Sequence, residues 1–122
     1  LLRMVREAQQ EGYFVTVLYF WLDSPERALE RVQSRVSKGG HNIPPETIRR
    51  RYFMGLQYFF EDYTKVCDRW ILADNSIPPF RVVAEGFRES SEMIVRDTVA
   101  FEKIKACLAE HRAAQQKEEN GE

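Results

Sequence analysis

This 122-residue chain has few cysteines, and it lacks both a long apolar run and a large excess of charge of either sign. The two cysteines, Cys67 and Cys107, have no C-x-x-C spacing and are too few for a disulfide framework, so we expect reduced thiols in a cytoplasmic protein. No stretch approaches the roughly 18 apolar residues of a membrane span, and no signal-peptide pattern is present. The net charge of −1 argues against nucleic-acid binding over the whole surface.

Hydrophobic patterning predicts an α/β domain with a parallel sheet. Apolar residues at helical spacing predict a helix over residues 1–10, and the almost unbroken apolar run 13–22 predicts a strand buried on both faces. Ser24 and Pro25 are typical of a helix start, and Gly39 and Gly40 end that helix. The other predicted elements are a helix over 45–66, a short buried strand over 70–73, a β-hairpin formed by 80–87 and 92–96, and a last helix capped by Asp97.

A central parallel strand needs a neighbour on each side, and few other strands are predicted. We therefore expect that pairing strands lie upstream and that residues 1–112 are the C-terminal portion of a larger domain. Residues 113–122 are polar and are predicted to be a disordered tail.

Arginines without local partners lie on both helices that flank the two glycines. Arg31 and Arg35 on the first helix, and Arg51 on the second, have no acidic residue three or four positions away. A solvated or tertiary-paired basic face is the commoner explanation of such a cluster. The alternative is phosphate binding, because the planar arginine fork grips two phosphate oxygens and neutralises charge that develops in a transition state.

Three further positions have two interpretations each. Arg50 has Glu46 four residues earlier, so an ion pair explains it as easily as a phosphate does. His41 follows the glycines and is either solvated or bonded to a phosphate. Asn75 follows a predicted strand, where ligands of open α/β sheets bind, but Asp74-Asn75-Ser76 is equally typical of a simple Asx turn.

Several segments together match the pattern of a known family. They are Trp21-Leu22-Asp23-Ser24-Pro25-Glu26, Arg31-Val32-Gln33-Ser34-Arg35-Val36, Gly39-Gly40-His41-Asn42-Ile43-Pro44, Ile48-Arg49-Arg50-Arg51-Tyr52, and Trp70 with Asp74-Asn75-Ser76. Through these segments the chain resembles the zeta-toxin-like family of P-loop kinases over about residues 1–86. The resemblance implies a P-loop NTPase-like three-layer sandwich in which residues 24–66 form a mobile basic lid over the phosphates of ATP.

The same resemblance assigns roles to residues. Arg35 and Arg51 would make the catalytic phosphate contacts. The resemblance also makes Arg50 and Asn75 candidate nucleotide contacts, beside Arg31 and His41, which the residue patterns alone suggest. The implied activity is ATP-dependent phosphorylation of a small acceptor, which for the toxins is UDP-N-acetylglucosamine.

The chain departs from that family in one essential respect. No G-x-x-x-x-G-K-[ST] motif occurs, and the acidic residue that activates the acceptor is missing, so Mg²⁺ is expected only together with a P-loop segment. We therefore expect a kinase portion that is inactive alone. The alternative is a non-catalytic remnant that pairs with a partner, or with itself, through the edge of an incomplete sheet. A nucleic-acid binder is disfavoured by the pI near 6.2.

Overall fold

A computed structural model describes residues 1–121 as helices and strands in the predicted order, including the C-terminal hairpin. The helices are α1 (Leu2–Gln10), α2 (Pro25–Ser37), α3 (Pro45–Tyr58), α4 (Thr64–Val66) and α5 (Thr98–Glu119), and a π-helical segment (Phe59–Tyr63) joins α3 to α4. The strands are β1 (Thr16–Trp21), β2 (Arg69–Asp74), β3 (Arg81–Phe87) and β4 (Met93–Val95). The α/β class is therefore confirmed.

Side-chain caps begin two of the helices as predicted. The Ser24 hydroxyl accepts a hydrogen bond from the Arg27 amide at 3.2 Å, and the Asp97 carboxylate accepts one from the Ala100 amide at 3.0 Å. The end of α5 differs from the prediction, because the helix continues through Glu119 instead of ending near Ala113. The residues of this segment are mostly alanine, glutamine, lysine and glutamate, which are strong helix formers.

The four strands form one sheet in the order β1-β2-β3-β4. Only β1 and β2 are parallel, whereas β3 is antiparallel to both β2 and β4. The expectation of parallel strands is thus confirmed for β1 and β2, and the antiparallel β3–β4 pair is the predicted hairpin. The parallel arrangement does not continue from β2 to β3, which are antiparallel. The physical reason is the connection between β2 and β3, since residues 75–80 are too few for the crossover of about a dozen residues that parallel neighbours need.

The core lies on one face of the sheet. On β1, Trp21 is 5% exposed and Tyr19 packs against the core, whereas Leu18 and Phe20 on the opposite face are 42% and 44% exposed. The largest fully buried side chains are Phe59, Leu56, Leu72, Ile104 and Val83. The predicted burial of β1 on both faces is therefore wrong for residues 1–121. Over the same residues the expected three layers are reduced to two, because α1, α3 and α5 all pack into this single core.

A π-helical turn interrupts the long helix that the sequence predicts as continuous. Phe59 begins this turn and is 1% exposed. Its ring stacks on Tyr19 at 4.9 Å between centroids and meets Trp70 edge-on at 5.8 Å. The turn therefore lies where the helix packs most tightly on β1 and β2, and it holds α3 against the edge strand.

Candidate functional site

A cavity of about 510 Å³ lies between α2, α3 and the free edge of β1. Its walls are mostly apolar, and the side chains of two arginines and one histidine reach it. The lining residues are Tyr19, Phe20, Leu22, Ala28, Val32, Arg35, Gly40, His41, Ile43, Ile48, Arg51 and Tyr52. Three of the predicted site residues, Arg35, His41 and Arg51, are thus brought together from two helices and a loop.

The two glycines turn the chain back against α2. Gly39 has a φ of +99°, which L side chains rarely adopt, and the Gly40 amide donates to the Arg35 carbonyl at 2.8 Å. A Cβ atom on Gly40 would lie 2.9 Å from that carbonyl oxygen, so the contact requires glycine. This close return places His41 beside the last turn of α2, where Arg35 lies.

Tyr52 fixes α3 to the end of β1. Its hydroxyl donates to the Leu22 carbonyl, and Ile48 one turn earlier is 7% exposed. Burial raises the pKa of Tyr52 above its usual value of 10.0, so the hydroxyl remains a donor even in alkaline solution. Sequence analysis did not single out Tyr52 for this role, because an aromatic residue on an apolar stripe indicates only packing. Arg51, its neighbour, is placed over the cavity as a consequence.

The guanidinium groups of Arg35 and Arg51 are free to bind an external anion. Within residues 1–121, neither forms an ion pair with a carboxylate. Both side chains are exposed, as is His41. Two free arginine forks beside an imidazole can bind the oxygens of a polyanion, although salt screens a cluster that is exposed to water.

Three other predicted site residues lie elsewhere. Arg50 is exposed on α3 and does not line the cavity. Arg31 turns away from it, because its Nη2 atom donates to the backbone carbonyls of Asn75 and Ser76, the latter at 3.1 Å. Arg31 thus has no local partner, as the sequence indicates, but it is paired through tertiary structure, since its partners lie 44 and 45 residues away in the sequence. The backbone amide of Asn75 in turn donates a hydrogen bond to the Trp21 carbonyl at 2.8 Å.

No protein-family model, curated protein or solved structure matches the chain. The relationship to zeta-toxin-like kinases therefore stays a prediction from the sequence motifs.

A second cavity, of about 640 Å³, lies at the carboxyl ends of β1 and β2, the edge of the sheet at which the sequence offered Asn75 as a ligand contact. Asp74 and Ser76 line this cavity, and Asn75 does not. Its charged side chains largely offset one another. Asp23 pairs with Arg27 at 2.7 Å, and this hydrogen bond holds the pKa of Asp23 below its usual 3.8. Arg81 approaches Asp97 at 4.0 Å. Its aspartates distinguish this cavity from the α2–α3 cavity, whose lining within residues 1–121 contains no carboxylate.

Two further surveys cover residues 1–121. No three or more histidine, cysteine, aspartate and glutamate side chains there are arranged to hold a metal ion. Likewise, none of the helices in that range has the length and apolar character needed to span a bilayer.

Proposed function

We propose that this chain supplies the phosphate-binding lid of an ATP-dependent small-molecule kinase of the zeta-toxin-like type. The observation that carries the proposal is the convergence of Arg35, His41 and Arg51 on one cavity, with both guanidinium groups free. The cavity of about 510 Å³ falls within the roughly 300–1,000 Å³ of small-molecule sites. Unpaired arginines beside such a cavity are suited to neutralise the charge of a phosphoryl group during its transfer.

The residues present fit only part of an ATP site. The arginines and the histidine offer donors for phosphate oxygens, but residues 1–121 have no acidic cluster for Mg²⁺ and the sequence has no P-loop motif. The nest, lysine and hydroxyl of a P-loop would have to come from another segment. We therefore expect the chain alone to bind polyphosphates weakly and to transfer no phosphoryl group, since misplacement of reactants costs orders of magnitude in rate.

Titration calorimetry with ATP at low ionic strength tests the binding site. Arg35→Ala and Arg51→Ala are each expected to abolish the measurable binding, because each removes one of the two free forks. Arg49→Ala is the matched control, since Arg49 is exposed on the same helix as Arg51 and lies outside the cavity. Equal losses in all three variants would contradict a specific site and indicate a diffuse field of positive charge.

The catalytic part of the proposal has its own test. ATP-dependent phosphorylation of a small acceptor by the purified 122-residue chain would overturn the view that the P-loop groups are required. In a kinase that combines this chain with a P-loop segment, Arg35→Ala or Arg51→Ala should lower turnover roughly a hundredfold, because such ligands act mainly on the transition state.

A second candidate function is self-association through β1, which the exposure of its edge favours. β1 pairs with β2 alone, and Thr16–Trp21 contains no charge, proline or bulge that would protect a free edge. In an antiparallel pair of β1 strands from two copies, the exposed Leu18 and Phe20 of each copy would become cross-strand neighbours. The occupant we infer is therefore a second copy of this chain.

Size-exclusion chromatography with light scattering over a range of concentrations tests this second function. We expect a discrete dimer, and Leu18→Lys should shift it to monomer because it places a charge on the paired strand. Lys105→Ala on the exposed side of α5 is the control. A monomer at every concentration would contradict self-association, and a complex formed only with a different protein would replace the second copy as the occupant.

A further inference from the structure

Helix α2 is weakly held by apolar packing. None of its residues is fully buried, although α2 carries Arg35 at its last turn. Its first turn is capped by Ser24, and the element that it mainly packs against is α3. A helix with so little buried surface needs a polar attachment if its side chains are to hold one position.

Arg31 provides that attachment in the middle of the helix. The side chain is half-buried, and its Nη2 atom donates to the carbonyls of both Asn75 and Ser76. These two carbonyls belong to the connection that follows β2, so the bonds join α2 to the carboxyl end of the sheet. Within residues 1–121, no other α2 side chain donates a hydrogen bond to this connection.

The connection after β2, to which Arg31 is bonded, is itself fixed to the ends of the strands. Ser76 is 6% exposed, its amide donates to Asp74 Oδ1 at 2.9 Å, and its hydroxyl accepts from the Asp23 amide at 2.9 Å. The Asn75 amide donates to the Trp21 carbonyl at 2.8 Å. The carbonyls that receive Arg31 are thus set by hydrogen bonds to the end of β1, and they cannot easily follow a displaced helix.

We propose that Arg31 is a positioning residue that locks α2 to the connection after β2 and so holds Arg35, one helical turn later, over the α2–α3 cavity. The inference deepens the proposed function and rests on it for the role of Arg35. It separates two arginines that the sequence makes equivalent: Arg35 binds phosphate, and Arg31 determines where Arg35 lies. Both hydrogen bonds come from the single Nη2 atom of Arg31, which lies between the two carbonyls.

Amide hydrogen exchange tests the lock without any ligand. Arg31→Gln should speed exchange at least tenfold in α2 and leave α5 unchanged. Arg27→Gln is the matched control on the same helix, because Arg27 pairs only with the nearby exposed Asp23. Unchanged exchange in α2 of the Arg31 variant, or equal acceleration in the Arg27 variant, would overturn the lock.

The salt dependence of inorganic tripolyphosphate binding tests the link to Arg35. Arg31→Gln should weaken binding about tenfold and leave the slope of the logarithm of the affinity against the logarithm of the salt concentration unchanged, because Arg31 itself does not contact the anion. A slope that falls by about one, as expected when a direct phosphate ligand is lost, would overturn positioning and make Arg31 a direct ligand. If the wild-type chain binds no tripolyphosphate, the proposed function fails, and the exchange result alone decides the lock.

Discussion

Gly86 on β3 should be intolerant of a side chain because the Trp70 indole lies directly over it. The two residues are register partners on neighbouring strands. A Cβ atom on Gly86 would lie 2.7 Å from three indole atoms, Cε2, Cζ2 and Nε1. Trp70 is 7% exposed and packs edge-on against Phe59, so it has little room to move. We expect Gly86→Ala to cost about 1–3 kcal/mol, the usual penalty of overpacking.

The same substitution at Gly55 should have the opposite sign. Gly55 lies inside α3, and a Cβ atom there would meet only the Tyr19 hydroxyl at 3.5 Å, an ordinary contact. Replacing glycine by alanine within a helix stabilises it by roughly 0.5–1 kcal/mol. The replacement of glycine by alanine therefore tests the packing at Gly86 and the backbone entropy at Gly55.

Thermal and urea unfolding followed by circular dichroism measures both effects. For a domain of this size, about 1 kcal/mol shifts the Tm by roughly 4 °C, so Gly86→Ala should lower the Tm by about 4–12 °C and Gly55→Ala should raise it by about 2–4 °C. In a Trp70→Leu background the Gly86→Ala penalty should vanish. An unchanged or higher Tm for Gly86→Ala, or a penalty that persists without the indole, would refute the close approach of Trp70 to Gly86.

Two further predictions concern pH. The Val15 amide and the Gln9 side chain donate to Asp68 and hold its pKa below the usual 3.8. Because the pKa of Asp68 is lower in the folded state than in the unfolded state, its contribution to stability is complete above about pH 5 and is lost as the pH falls from 3.8 through the lowered folded-state pKa. Asp68→Asn should therefore flatten the acid limb of a plot of Tm against pH, and an unchanged limb would contradict this. Burial raises the pKa of Tyr19 from 10.0 to about 12. Its stabilising effect is complete below pH 10.0 and is lost as the pH rises toward 12, so Tyr19→Phe should be less sensitive to alkali. Ultraviolet titration of tyrosinate checks this, and a normal pKa at Tyr19 would refute it.

Local sequence determined most of the elements. Ser24 with Pro25, and Asp97, predicted helix starts that the structure has, because a side-chain cap acts within one turn. The apolar run over residues 13–22 and the stripe over 45–66 predicted β1 and the α3–α4 helix. The convergence of Arg35, His41 and Arg51 also followed from the order helix, glycine loop, helix, since a short loop forces the two helices to lie side by side.

Tertiary structure alone decided what the apolar run of β1 packs against and which arginine is free. Leu18 and Tyr19 belong to the same apolar run of the sequence, but only Tyr19 faces the core, because β1 has one neighbour and one covered face in residues 1–121. Arg31 and Arg35 have the same local spacing, yet Arg31 meets carbonyls 44 and 45 residues away and Arg35 meets none. The local sequence pattern indicates which kinds of group each residue can bind. The partner itself is fixed by the long-range folding that brings the connection after β2 beneath α2.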